Sequence, residues 1–160
     1  IFDVIKIDNV NNIWYWLNSY SIFIKFKNTH TQMVSKITSN IRVSVLPEYD
    51  RKNSYPAENR NVFKYYITIE NLGNELIQVL KRKWLIYDLG FGYSEVGGDG
   101  IIGLLPEIEM NDNFTYFSNV ILKSGIGTMT GVYLVRDLST GDEFEVEIPV
   151  FKLFSDIIAN

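Results

Sequence analysis

Two stretches of this chain alternate apolar and polar residues with period two, and no stretch beyond Met33 repeats convincingly with the period of a helix. Ile41, Val43 and Val45 alternate with Arg42 and Ser44, and Phe63, Tyr65, Ile67 and Ile69 alternate with Lys64, Tyr66, Thr68 and Glu70. Each pattern buries one face of a strand and wets the other. Turn residues punctuate the rest. Asn71-Leu72-Gly73-Asn74 precedes a strand-like run over 76–88, and Leu89-Gly90-Phe91-Gly92 precedes another over 93–96. Further strands are expected over 114–119, 129–138 and 143–149, the last two joined across Ser139-Thr140-Gly141-Asp142. Roughly seven to eight short strands with regular turns predict an all-β fold. The expected architecture is a sandwich of two antiparallel sheets, of the immunoglobulin and fibronectin type III class, with a closed barrel as the alternative.

A chain of 160 residues is of a size for one domain, and 46% hydrophobic against 21% charged residues is enough to bury a real core. Composition also narrows function. A net charge of -4 exerts no general pull on nucleic acid or anionic lipid, so neither is expected as a partner. There is no cysteine, which removes disulfides, thiolate nucleophiles and cysteine-based zinc sites. The single histidine, His30, cannot build a multi-histidine metal site, and it lies outside the strand-rich region. No metal site and no cofactor are expected.

Residues 1–32 differ in character from residues 33–160. Asparagine is frequent there, and Trp14, Tyr15, Trp16, Tyr20, Phe23 and Phe26 crowd one stretch. The apolar tract over 13–26 falls short of the roughly 20 residues of a membrane-spanning helix, and Asn18, Ser19, Ser21 and Lys25 interrupt it. Asp3 and Asp8 are unlike the basic start of a secretory signal. No membrane association is expected. The segment reads as a truncated upstream extension or a misassigned start, against an added strand or a surface arm.

One motif points elsewhere. Gly98-Asp99-Gly100-Ile101-Ile102-Gly103 spells G-x-G-x-x-G, which in a dinucleotide-binding fold turns a strand into a helix whose N-terminus holds a pyrophosphate. Here Pro106 follows closely, Ile108 and Met110 alternate like a strand, and Lys123 stands about where the ribose-binding acid belongs. The glycines then have two readings: an anion-binding concavity of successive N–H groups, or a tight connection between sheets. Lys81, Arg82 and Lys83 are the nearest cations, and Asp99 and Glu95 would oppose a bound anion. The three cations interrupt an apolar strand, which suggests an edge, a bulge or a sheet rim. Other candidates have plainer readings. Glu143, Glu145 and Glu147 read as the wet face of a strand, Asp112 as a turn acid and Trp84 as a core anchor. Ser124-Gly125-Ile126-Gly127-Thr128 lacks the order of a nucleophile elbow. No catalytic residue stands out.

Taken in order, 59–71, Arg82-Lys83-Trp84, the 98–103 loop, Gly127-Thr128-Met129-Thr130-Gly131-Val132-Tyr133 and Phe144-Glu145-Val146-Glu147-Ile148-Pro149 resemble the ApaG family. The resemblance runs over about 33–154. It implies a fibronectin type III-like sandwich and a small bacterial cytoplasmic protein that binds rather than catalyses, tied indirectly to cobalt and magnesium resistance. Related domains look like protein-interaction modules. The resemblance also raises the glycine loop as a pyrophosphate or nucleotide site, with Gly98, Gly100 and Gly103 at the matching positions. The chain departs from the family where Lys83 replaces an expected histidine and Leu104-Leu105 replace Glu-Gln. Two leucines on an exposed loop suit a hydrophobic partner surface. The leading expectation is a non-enzymatic module for a protein partner, with Leu104 and Leu105 on its contact surface. The alternative is a phosphate or nucleotide sensor using Gly98, Asp99, Gly100, Gly103, Lys81, Arg82 and Lys83. An enzyme would need a carboxylate-held Mg²⁺. Oligomeric state is left open.

Overall fold

In the computed structural model, the chain is described over residues 32–156, and these form nine strands and two short 3-10 turns. One sheet takes β1 (Val34–Thr38), β2 (Ile41–Tyr49), β3 (Asn61–Asn71) and β7 (Asn113–Leu122), in the order β1-β2-β3-β7. The other takes β4 (Ile77–Asp88), β5 (Gly92–Asp99), β8 (Ile126–Asp137) and β9 (Glu143–Phe154), in the order β5-β4-β8-β9. A fifth, two-residue strand, β6 (Glu107–Ile108), pairs with the start of β4. All pairings are antiparallel. The sandwich expectation holds, and the barrel alternative does not. Strand β1 escapes the sequence reading because it carries too little apolar alternation to stand out, and of the strand-like alternation at Ile108 and Met110 only Glu107–Ile108 forms a strand. The proposed character of residues 1–31 lies outside the described residues.

The alternation explains the layers. Ile41, Val43 and Val45 of β2 and Phe63, Tyr65, Ile67 and Ile69 of β3 are all buried, and they face Val79, Trp84 and Ile86 of β4, Tyr133 and Val135 of β8, and Val146, Ile148, Phe151 and Leu153 of β9. Trp84 is a core anchor as expected: its ring meets Tyr65 of the opposite sheet at 5.4 Å between centroids and Phe151 of its own sheet at 6.2 Å. Ser39 and Asn40 join β1 to β2 with φ of 48° and 59°, the positive-φ pair whose twist matches a two-residue hairpin. The buried polar side chains are satisfied: Asn71 donates to the carbonyls of Glu75 and Ile108, and Asn61 donates to that of Lys123. Asp50, buried beside Lys64 at 2.9 Å, has its carboxyl held below the usual range, first by the Asn53 side chain and then by Lys64.

Candidate functional site: the glycine loop and its flanking groove

Strand β4 carries the three cations into the site by a change of register. Its pairing with β8 shifts between Val79 and Lys81, so a bulge at Leu80 re-phases the strand. Of the three sequence expectations for this cationic run, the bulge is the one realised. Beyond it Arg82 takes the inner side with Trp84, while Lys81 and Lys83 stand on the exposed outer face. β4 is flanked by β5 and β8, so the run is not at an edge.

The inward Arg82 braces the glycine loop. Its guanidinium donates to the carbonyl of Gly100 at 2.7 Å and to that of Asp99 at 3.3 Å, lying over Gly98. Below it, burial raises the pKa of Tyr65, Tyr116 and Tyr133, and the Tyr116 and Tyr133 hydroxyls bond to each other at 2.5 Å. The loop is further tied by its own backbone. Gly100 N–H donates to Leu80, and Ile101 and Leu104 exchange both of their bonds, at 2.8 and 3.0 Å. Ile101 is fully buried in the core. A Cβ on Gly100 would sit 1.9 Å from the Leu104 carbonyl oxygen, so only glycine admits this approach. Between the paired residues, Ile102 and Gly103 turn the chain at φ of 51° and 74°. A β-branched residue in that region is strained, yet Ile102 stays there because both flanks are pinned.

The turn therefore projects apolar side chains. Ile102, Leu104 and Leu105 are 62%, 57% and 52% exposed. Leu104 and Leu105, expected on an exposed loop, are exposed there. Ile102 was not among the expected site residues, and no sequence signal marks it, since two-residue turns of this shape normally advertise themselves by Asn-Gly or Asp-Gly. The N–H groups of Gly100, Ile101 and Leu104 are engaged within the protein. Gly100 is thus part of a close-packed connection, whereas a Cβ at Gly103 would meet open space.

On the outer face of the same sheet lies an open groove of about 560 Å³, lined by Lys81, Lys83, Gly97, Asp99 and Glu145 among others. Lys83 pairs with Glu95 at 3.0 Å, both groups well exposed, whereas Lys81 makes no ion pair among the described residues. Glycine at 97 leaves the groove floor bare beside Lys83, its cross-strand partner. The remaining chemical candidates resolve as structure. Asp88 accepts from the Lys123 and Ser124 amides and from the Ser124 hydroxyl, which ties the 123–127 turn to the end of β4. Asp112 accepts from the Asn113 amide as a turn acid. Glu143, Glu145 and Glu147 line the exposed face of β9, where Glu143 pairs with Arg136 at 2.5 Å and Glu147 pairs with Lys36. Among the described residues no group of three or more His, Cys, Asp or Glu is placed to hold a metal. None of their helices is long and apolar enough to cross a membrane.

Comparison with known proteins agrees with the geometry. The ApaG domain family matches residues 51–137. Protein ApaG of Shewanella halifaxensis is 40% identical over 120 residues, covering 75% of this chain and 94% of that protein. Protein ApaG of Vibrio cholerae is 41% identical over 113 residues, covering 71% and 89%. A crystal structure of the putative ApaA protein from Bordetella pertussis superposes with a TM-score of 0.70 at 36% identity, covering 72% of this chain and 94% of that one. Matched by the ApaG domain model over residues 51–137 and 40% identical to a relative of which it covers 94%, the chain belongs to the ApaG family.

Proposed function

We propose that the protein is a non-enzymatic binding module that docks another protein through the turn at 102–105. The observation that carries this reading is the exposure of Ile102, Leu104 and Leu105 together on a backbone locked by Arg82 and by paired amides. Apolar side chains already held in place lose little conformational freedom on docking, so more of their burial appears as affinity. The expected partner surface is an apolar hollow of a few side chains. On this reading any connection with cobalt and magnesium resistance runs through the partner rather than through this domain, and the site of action is the cytoplasm.

The test is site-specific photo-cross-linking in lysate of the source cells, with the photoreactive residue at position 104 and, as control, at the equally exposed position 150. A discrete protein adduct at 104, absent at 150 and lost with Leu105→Glu, is the expected result. No adduct, or the same adduct at both positions, would refute the reading. Because Leu105 is exposed, the variant should melt like the parent protein.

A second reading, phosphate or nucleotide sensing by Lys81, Arg82, Lys83, Gly98, Asp99, Gly100 and Gly103, is favoured by the outer groove, where Lys81 and Lys83 stand beside Gly98 and Asp99 and Lys81 makes no ion pair among the described residues, although the Arg82 guanidinium is turned to the inner side. Asp99, Glu95 and Glu145 share that groove and oppose an anion. Amide shifts on titration with ATP, diadenosine tetraphosphate or pyrophosphate, confined to 81–83 and 98–103, would make it the primary reading.

A further inference from the structure

The two sheets end in four edges, and three are protected against pairing with another chain. β1 is five residues long and carries Lys36. β9 carries Pro149, three glutamates and Lys152, its register shifts opposite Met129 and Gly131, and β1 bonds to it through Lys36 and Thr38. β5 holds Glu95, Asp99 and three glycines. Charge, proline, irregularity and cover are the devices that keep edge strands from recruiting partners. Among the described residues, β7 has none of them. Its sequence Asn113-Phe-Thr-Tyr-Phe-Ser-Asn-Val-Ile-Leu122 contains no charge, no proline and no glycine, and its pairing with β3 runs without a register shift.

The open edge has a definite orientation. Val62 accepts from Asp50 and Leu72 donates to Asn40, so even-numbered residues along β3 bond toward β2, while Asn71 donates to Asp112 on the β7 side. Odd-numbered β3 residues stand opposite even-numbered β7 residues. In an antiparallel ladder the alternate positions turn outward, so Thr115, Phe117, Asn119 and Ile121 present their N–H and C=O groups to the open edge. The side chains of the same residues lie on the outer face, where Phe117 and Ile121 are 62% and 47% exposed and Phe117 meets Tyr66 at 6.1 Å.

We propose that β7 is the dimerisation edge of this protein: two copies pair β7 to β7, antiparallel, continuing the four-stranded sheet across a two-fold axis. The strand suits a second copy of itself. With Asn119 on the axis, Phe117 of each copy falls opposite Ile121 of the other, joining the exposed apolar positions into one stripe. Such a pairing is isologous and closed, so it ends at two copies.

Sedimentation velocity on the full chain tests this, with Asn119→Lys, Phe117→Lys and a Val150→Lys control. The expected result is a concentration-dependent dimer in the parent and in V150K. N119K places like charges on the axis and should weaken the dimer at least about tenfold, as should F117K, with unchanged melting of the monomer. Amide exchange at Phe117, Asn119 and Ile121 should slow as the dimer forms. A parent protein monomeric up to about 0.5 mM would overturn the proposal. So would a dimer equally strong in N119K and F117K, or edge amides protected in the monomer by another segment or partner.

Discussion

At the scale of single residues, the site is built from side chains whose usual roles are inverted. Arg82 is a cation spent on two neutral carbonyls of the loop, while Lys81, one residue away, is left in the groove without an ion pair among the described residues. The bulge at Leu80 decides which of the three cations turns inward, and no feature of Lys81-Arg82-Lys83 itself reveals it. Ile102 is the other inversion: a branched side chain where asparagine or glycine would be at ease. Replacing it with asparagine should relieve the turn and raise stability by about 0.5–1 kcal/mol, read as a higher urea midpoint. The same substitution should weaken cross-linking at position 104, since it removes one of three exposed apolar groups. A gain in stability with a loss of binding would fit a strained residue kept for contact. An unchanged or lower midpoint would show that the turn is not strained.

At the scale of elements, the loop from Gly100 to Leu105 is a spur that leaves the β5 edge, buries Ile101 and returns to β6. Its rigidity rests on the contact of Gly100 with the Leu104 carbonyl. Gly100→Ala forces that contact open, so the loop must move while the sandwich persists. The expected outcome is a loss of about 1–3 kcal/mol, with amide shifts concentrated over 98–106 and the Ile101 amide exchanging faster. Shifts spread evenly over both sheets would show that the loop is part of the global core instead. This element was half legible in the sequence. Pro106 and the alternation after it rule out a dinucleotide-binding helix, but the pairing of loop amides depends on Leu80 and Leu104, contacts that no local pattern announces. β7 was legible in a different way: its lack of charge is plain in the sequence, yet its place at an open edge is a fact of sheet order.

At the scale of the whole molecule, the two sheets are joined by aromatic packing around Trp84 and by buried polar links, among them the bond from Asn71 of β3 to the Ile108 carbonyl of β6 and the bond between Tyr116 of β7 and Tyr133 of β8. Burial, above all, raises both hydroxyl pKa values. Both tyrosines stay neutral in the folded protein at a pH where unfolded tyrosines, with a pKa near 10, ionise. The unfolded state then releases protons that the folded state keeps. Stability from this link is therefore complete below about pH 10 and falls as pH rises beyond it, by about 1.4 kcal/mol per pH unit for each tyrosine held neutral. Lys64, its pKa raised chiefly by the Asp50 carboxylate, loses its contribution in the same alkaline direction. Urea midpoints at pH 8 and pH 11 measure the sum, and Tyr133→Phe isolates one tyrosine by making the decline shallower. A midpoint that does not fall above pH 10 would mean that the pair ionises freely in the fold.

The sequence by itself determined the strand-rich class, the burial of the alternating residues and the family, because a period of two and a set of ordered motifs are local properties of the chain. It also placed the two leucines beside a glycine loop. Only the tertiary structure decided that Arg82 faces inward, that Ile102 joins the exposed apolar group, and that β7 rather than β9 is the undefended edge. These outcomes follow from a bulge, from backbone bonds between residues on different strands and from the order of strands in a sheet. Each is set by which segments meet in space, and that information is distributed over residues far apart in the chain.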